Sequence, residues 1–211
     1  MLNRDTAIFK DAPAYGYSTA QDRVSVFIDA AHVFYAASAL GIEIDYSKLI
    51  SQLVPRGHLL RAYFYTGVDP KNARQQGFLL WMKRHGYRVI TKEIAAKESS
   101  DMSGRSVDFC VDITTDMMAQ AAFSDTVVLV TGDGRFARLL NHFSGLSTRT
   151  ELVSLQSITS ERLLNEADRV IDIASLKDAI AKRTAYKRTR LKATASRSEE
   201  RRVGKECRSR W

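Results

Sequence analysis

Two short runs of apolar residues, each closed by an aspartate, constrain the fold of this chain more than any other feature. Residues 24–29 read Val-Ser-Val-Phe-Ile-Asp, and residues 126–133 read Thr-Val-Val-Leu-Val-Thr-Gly-Asp. A run of β-branched and apolar side chains without polar alternation suits a strand covered on both faces of a parallel sheet. An acid just past its carboxyl end stands where open α/β sheets place their ligands. Between the two runs, Asp108, Asp112 and Asp116 are spaced four apart and share one face if helical. Carboxylates converging on one crevice repel each other unless a cation lies between them. The pattern therefore predicts a divalent-metal site suited to phosphate chemistry.

Strand-like and helix-like segments alternate along the chain. A strand at 24–28 leads into a helix near 30–40 closed by Gly41, and a second helix fits Ser47 to Leu53 with Ser47 as its cap. Residues 59–65 and 87–92 read as strands, with a helix from Pro70 to His85 between them. After a polar stretch at 93–106 come a helix at 107–122, a strand at 126–131 and a helix near 135–143. Strand 150–155, a short helix near 160–166, strand 169–173 and a last helix from Ser175 complete the series. This alternation predicts an α/β fold, a three-layer α/β/α sandwich with a mainly parallel sheet.

The expected organisation is a loosely ordered extension over 1–22, one domain over 23–180, and a basic tail over 181–196. Residues 197–211, RSEERRVGKECRSRW, resemble the read-through translation of a common sequencing-library adapter and are set apart from fold reasoning. That segment takes six basic and three acidic residues with it. All of the remaining net positive charge lies in 177–196, which hold seven basic side chains against one acidic. The basic balance is thus a property of the tail and not of the domain. No run of 18 apolar residues suggests a membrane span, and no secretory signal is visible. Only Cys110 and Cys207 occur, so a disulfide framework is not expected and a reducing cytoplasm is the default.

Read one at a time, the acids have structural uses. Asp29 precedes a helix and can cap it, and Asp108 can cap the helix that follows it. Asp112 and Asp116 can belong to a solvated helix face, although Val111, Ile113 and Met117 beside them make that helix largely apolar. Gly132 and Gly134 around Asp133 permit a sharp turn and close approach of a ligand to the backbone. His58, His85 and His142 show no zinc spacing, and no Walker or dinucleotide-binding glycine pattern occurs.

Taken together, the motifs resemble a known family. Asp29 at a strand end, Val-Asp-Ile-Thr-Thr-Asp-Met-Met at 111–118 and Val-Leu-Val-Thr-Gly-Asp-Gly at 127–134 are similar to NYN domains, PIN-like metal-dependent ribonucleases. The likeness is greatest to their bacterial LabA-like branch. Residues 62–67, 86–87 and 166–172 add to it, and it covers roughly residues 23–180. The resemblance implies an endonuclease in which Asp29, Asp112, Asp116 and Asp133 hold Mg2+ or Mn2+ and activate water against an RNA phosphodiester.

Three positions depart from the family pattern. His32 stands where the first motif has an asparagine, Cys110 where the middle helix often has an aspartate, and Arg135 where the third motif has a second acid. Arg135 puts a cation among carboxylates, either pairing with one of them or gripping a phosphate. These departures raise a second reading, an RNA-binding or regulatory module of the same fold that has lost cleavage. A small-molecule phosphatase is a more distant reading, since it would need an acid where Ala31 stands. Lys182, Arg183, Lys187, Arg188 and Arg190 offer phosphate contacts to RNA, or form a solvated helix end. Homodimerisation is left open.

Overall fold

The computed structural model describes residues 22–94 and 107–182. The first strand, β1 (Arg23–Asp29), continues directly into α1 (Ala30–Leu40), which Gly41 ends with a φ of 65°. Then follow α2 (Tyr46–Leu53), β2 (His58–Val68), α3 (Ala73–Arg84), β3 (Tyr87–Glu93), α4 (Cys110–Ala121) and β4 (Thr126–Val130). The chain closes with α5 (Ala137–Phe143), β5 (Arg149–Ser154), α6 (Glu161–Leu164), β6 (Arg169–Asp172) and α7 (Lys177–Ile180). No described helix is long and apolar enough to cross a membrane.

The strands form one six-stranded sheet in the order β3-β2-β1-β4-β5-β6, and every pairing is parallel. The chain first winds outward from β1 through β2 to β3. It then returns to the middle and winds the other way through β4 to β6. The direction of winding reverses between β1 and β4, the two strands singled out by their apolar runs and closing acids. A crevice opens at such a reversal because the connections leave the strand ends in opposite directions.

Both faces of the sheet are covered, as the unbroken apolar runs require. Val26 and Ile28 of β1 pack on one side with Phe64, Leu49 and Met82. Phe27, pointing to the other side, packs with Tyr63, Ile113, Met117, Leu140 and Phe143. Phe27 and Tyr63 stack with ring centroids 4.8 Å apart. β4 is buried along its whole length.

The elements differ from their expected limits for local reasons. Asp45, not Ser47, caps α2, accepting from the amides of Ser47 and Lys48. Pro70 does not start α3. It occupies a turn closed by Asn72 N–H to Asp69 O at 3.0 Å, and Asn72 is the cap. β2 continues past Tyr65 to Val68, paired throughout that stretch with β3. α4 begins at Cys110, because the Asp108 carboxylate accepts the Cys110 amide at 2.8 Å. The segments after β4 and β6 open as 3-10 turns, at 134–136 and 173–176.

Candidate functional site

Every acid named from the sequence lies toward the carboxyl edge of the sheet. Asp29 is the last residue of β1, in register with Tyr65 of β2 and on the same face as Phe27. Its Oδ1 accepts the Ala31 amide at 3.1 Å and its Oδ2 the Thr131 hydroxyl at 3.0 Å. Capping and site geometry are therefore joined in one side chain. Burial raises the Asp29 carboxyl above its ordinary range, despite the opposing hydrogen bonds from Thr131 and the helix amides, and Asp133 adds to the rise.

Asp133 caps the turn after β4, its Oδ1 accepting the Arg135 amide at 2.9 Å. The Arg135 side chain folds back on it, with Nη2 at 2.6 Å and Nε at 2.8 Å from Oδ2. Nη1 donates to Asp108 Oδ2 at 2.7 Å. One guanidinium thus bridges the β4 end to the segment before α4. Burial opposes ionisation of Asp133, yet the hydrogen bonds and charge of Arg135 hold its carboxyl below the ordinary value. Asp108 falls to about 2, through the bonds from Cys110 and then from Arg135. Cys110 Sγ lies 3.8 Å from Asp133 Oδ2, and burial with these neighbouring acids pushes its thiol up to about 12.

The other two acids face different partners on α4. Asp112 pairs with Lys92 of β3, whose ammonium also donates to the Asp108 carbonyl at 2.8 Å and lies 4.9 Å from the Phe109 ring centroid. Asp116 accepts the buried Tyr65 hydroxyl at 2.8 Å. Burial first, then the Asp116 bond, raises the Tyr65 phenol far above its usual range, so it remains a donor. Lys92 and Tyr65 carried no signal as site residues in the sequence. Each ends up beside an acid only because β2 and β3 run past the first turns of α4.

His32 is only 8% exposed and wedges against Gly132. A Cβ at Gly132 would stand 2.5 Å from its ring, so the glycine is what lets the imidazole in. Its Nε2 is buried without a hydrogen-bond partner, and burial lowers its pKa to about 4. Beside it a cavity of about 370 Å³ is lined by Asp29, Tyr35, Asp133 and Ile158.

The metal-binding expectation can be tested against this geometry. Among the described residues, no three His, Cys, Asp or Glu side chains are grouped closely enough to hold a metal ion. Asp133 and Asp108 share Arg135, Asp112 has Lys92, Asp116 has Tyr65, and Asp29 has Thr131 and a helix amide. As arranged, the carboxylates do not fit a divalent cation, because side chains of the protein already satisfy them.

Lys182 lies elsewhere. It pairs with Glu43, and its amide donates to the Glu43 carbonyl at 2.8 Å. α1 has by then carried the chain about 16 Å from Asp29 along its axis. Arg183, Lys187, Arg188 and Arg190 lie outside the described residues, as do most of the expected N-terminal extension and the adapter-like end.

A family model for the NYN domain matches residues 23–176. The chain is 31% identical over 168 residues to the "Low amplitude and bright protein LabA" of Synechococcus elongatus, covering 76% of this chain and 88% of that protein. A crystal structure of a protein of unknown function from Vibrio parahaemolyticus shares the fold, with a TM-score of 0.65 and 21% identity. That likeness covers 79% of this chain and all of the other.

Proposed function

The chain belongs to the NYN domain family, and from that premise we propose that it binds RNA along the carboxyl edge of its sheet without cutting it. NYN domains are generally RNA-related and divalent-metal dependent. The observation that carries the non-cleaving reading is Arg135, a cation of the protein itself inserted between Asp133 and Asp108. Lys92 does the same for Asp112. Three of the five N–H donors of the Arg135 guanidinium go to these carboxylates. The remaining two belong to a side chain that is 61% exposed, where they can meet a phosphate.

A metal-dependent endoribonuclease using Mg2+ or Mn2+ is the second reading. It is favoured by the common edge on which Asp29, Asp112, Asp116 and Asp133 stand, and by the strained ionisation of Asp29. It requires Arg135 and Lys92 to leave their carboxylates.

The deciding experiment incubates the full chain with labelled single-stranded RNA in manganese, magnesium or chelator, scoring both retardation and cleavage on gels. Retardation in chelator without cleavage in either metal is the expected result. Metal-dependent cleavage that disappears in Asp29→Ala would establish the endonuclease instead.

A further inference from the structure

A second cavity lies beside the acidic edge and differs from it in chemistry. It is a cleft of about 530 Å³ between the start of α1, the end of β2 and α3. Tyr35 stands between it and the smaller cavity at His32. Its floor is aromatic. Tyr46, Phe64 and Phe78 pack with centroids 5.2, 5.6 and 6.0 Å apart. At its mouth Phe34 and Tyr35 are 61% and 55% exposed, a ring pair set edge to face at 5.8 Å. Two adjacent aromatic rings left in water beside an open cleft suit a ligand that covers them.

The polar lining narrows the ligand. Among the described residues the charged groups lining the cleft are Asp29 and Asp69, which disfavour a phosphate there. The Gln75 side chain is held in place at both ends, accepting the Asp69 amide at 2.9 Å and donating to the Gly67 carbonyl at 2.9 Å. That leaves the turn from Asp69 to Asn72, closed by a 3.0 Å backbone bond. Asp69 spends Oδ1 on the Lys71 amide and Asn72 spends Oδ1 on the Gln75 amide. Asp69 Oδ2 and Asn72 Nδ2 are left to a ligand, a charged acceptor and a donor on one turn. Among the nucleobases, guanine presents the complementary edge, two adjacent N–H donors at N1 and N2 followed by the O6 acceptor.

We infer that this cleft is a guanine-binding site, seating one base of a bound RNA against the exposed Phe34 ring and reading its edge with Asp69 and Asn72. The inference rests on the RNA-binding reading above and names the base that such binding would select. Stacking on the aromatic walls supplies affinity for any base, and the Asp69 carboxylate supplies the preference.

The test titrates the full chain with 5′-GMP, AMP, CMP and UMP by calorimetry, and separately with oligouridylate and a one-guanine oligonucleotide. GMP should bind at least about tenfold more tightly than the other three, the worth of a hydrogen-bonded charged group. Asp69→Asn, on an exposed loop, should erase that preference, and Phe34→Ala should weaken all four. Equal affinity for all four nucleotides, or a GMP preference unchanged in Asp69→Asn, would overturn the assignment. Oligouridylate binding without any gain from the added guanine would remove the guanine site and leave the RNA reading standing. GMP binding without oligonucleotide binding would do the reverse. Thermal melts check that both variants fold, and Asn72→Asp, which keeps the oxygen that caps α3 and removes the Nδ2 donor, offers a second variant if Asp69→Asn does not.

Discussion

The Arg135 guanidinium closes on Asp133 through Nη2 at 2.6 Å and Nε at 2.8 Å, and through Nη1 it holds Asp108 at 2.7 Å. A side chain two residues beyond a strand-end acid thus does locally what a bound cation would do from solution. It neutralises carboxylates that the fold forces together.

Replacing that side chain by an acid separates the two functional readings. Arg135→Asp removes a cation and adds an anion, so the variant should be less stable in chelator by about 1 kcal/mol, the scale of an exposed ion pair. Manganese should bind the variant and restore its melting temperature, while leaving the wild type unmoved. Calorimetric titration of both proteins checks this, and equal manganese binding by both would remove Arg135 from its assigned role.

Tyr65→Phe probes the join between β2 and α4. The ring stays in the core, stacked with Tyr63 and tilted against Phe109, and only the 2.8 Å bond to Asp116 is lost. A hydrogen bond to a charged group is worth about 1.5–3 kcal/mol. Urea denaturation should show a loss in that range, and a neutral effect would mean that solvent replaces the hydroxyl.

Gly132→Ala should destabilise the fold by about 1–3 kcal/mol through overpacking. The added methyl would lie 2.5 Å from His32 Cε1 and 3.1 Å from the Ile158 carbonyl, so the buried imidazole must shift from its place against Gly132. The double variant with His32→Ala should recover part of the loss. Strictly additive losses in the two single variants would place the conflict elsewhere.

His32 makes stability depend on pH. Its folded pKa, lowered by burial to about 4, lies below the ordinary 6.5 of the unfolded chain. Above that ordinary value both states are neutral and nothing is lost. Between the two values the unfolded chain binds a proton that the folded chain refuses. Stability should therefore fall with acidification over this window, by at most about 1.4 kcal/mol per pH unit. Imidazole titration by NMR should find one histidine near pH 4, and four histidines all near the ordinary value would refute the burial argument.

The sequence by itself determined the architecture and its polarity. Unbroken apolar runs such as 126–130 can only be strands covered on both sides, and that covering demands helices above and below a parallel sheet. Terminal acids at Asp29 and Asp133 marked the carboxyl edge of the sheet, because parallel strands point all their ends one way. Arg135 was visible as an anomaly, since its relation to Asp133 is local in the chain. The tertiary structure alone decided what each acid meets. Lys92 reaches Asp112 across twenty residues of chain, Tyr65 reaches Asp116 across fifty-one, and Phe34 comes to face Asp69 and Asn72 over one cleft. Strand periodicity fixes which face a side chain takes, but not which neighbour stands there. That choice depends on the register between strands and on where α4 crosses them, and both are set by packing that no local pattern encodes.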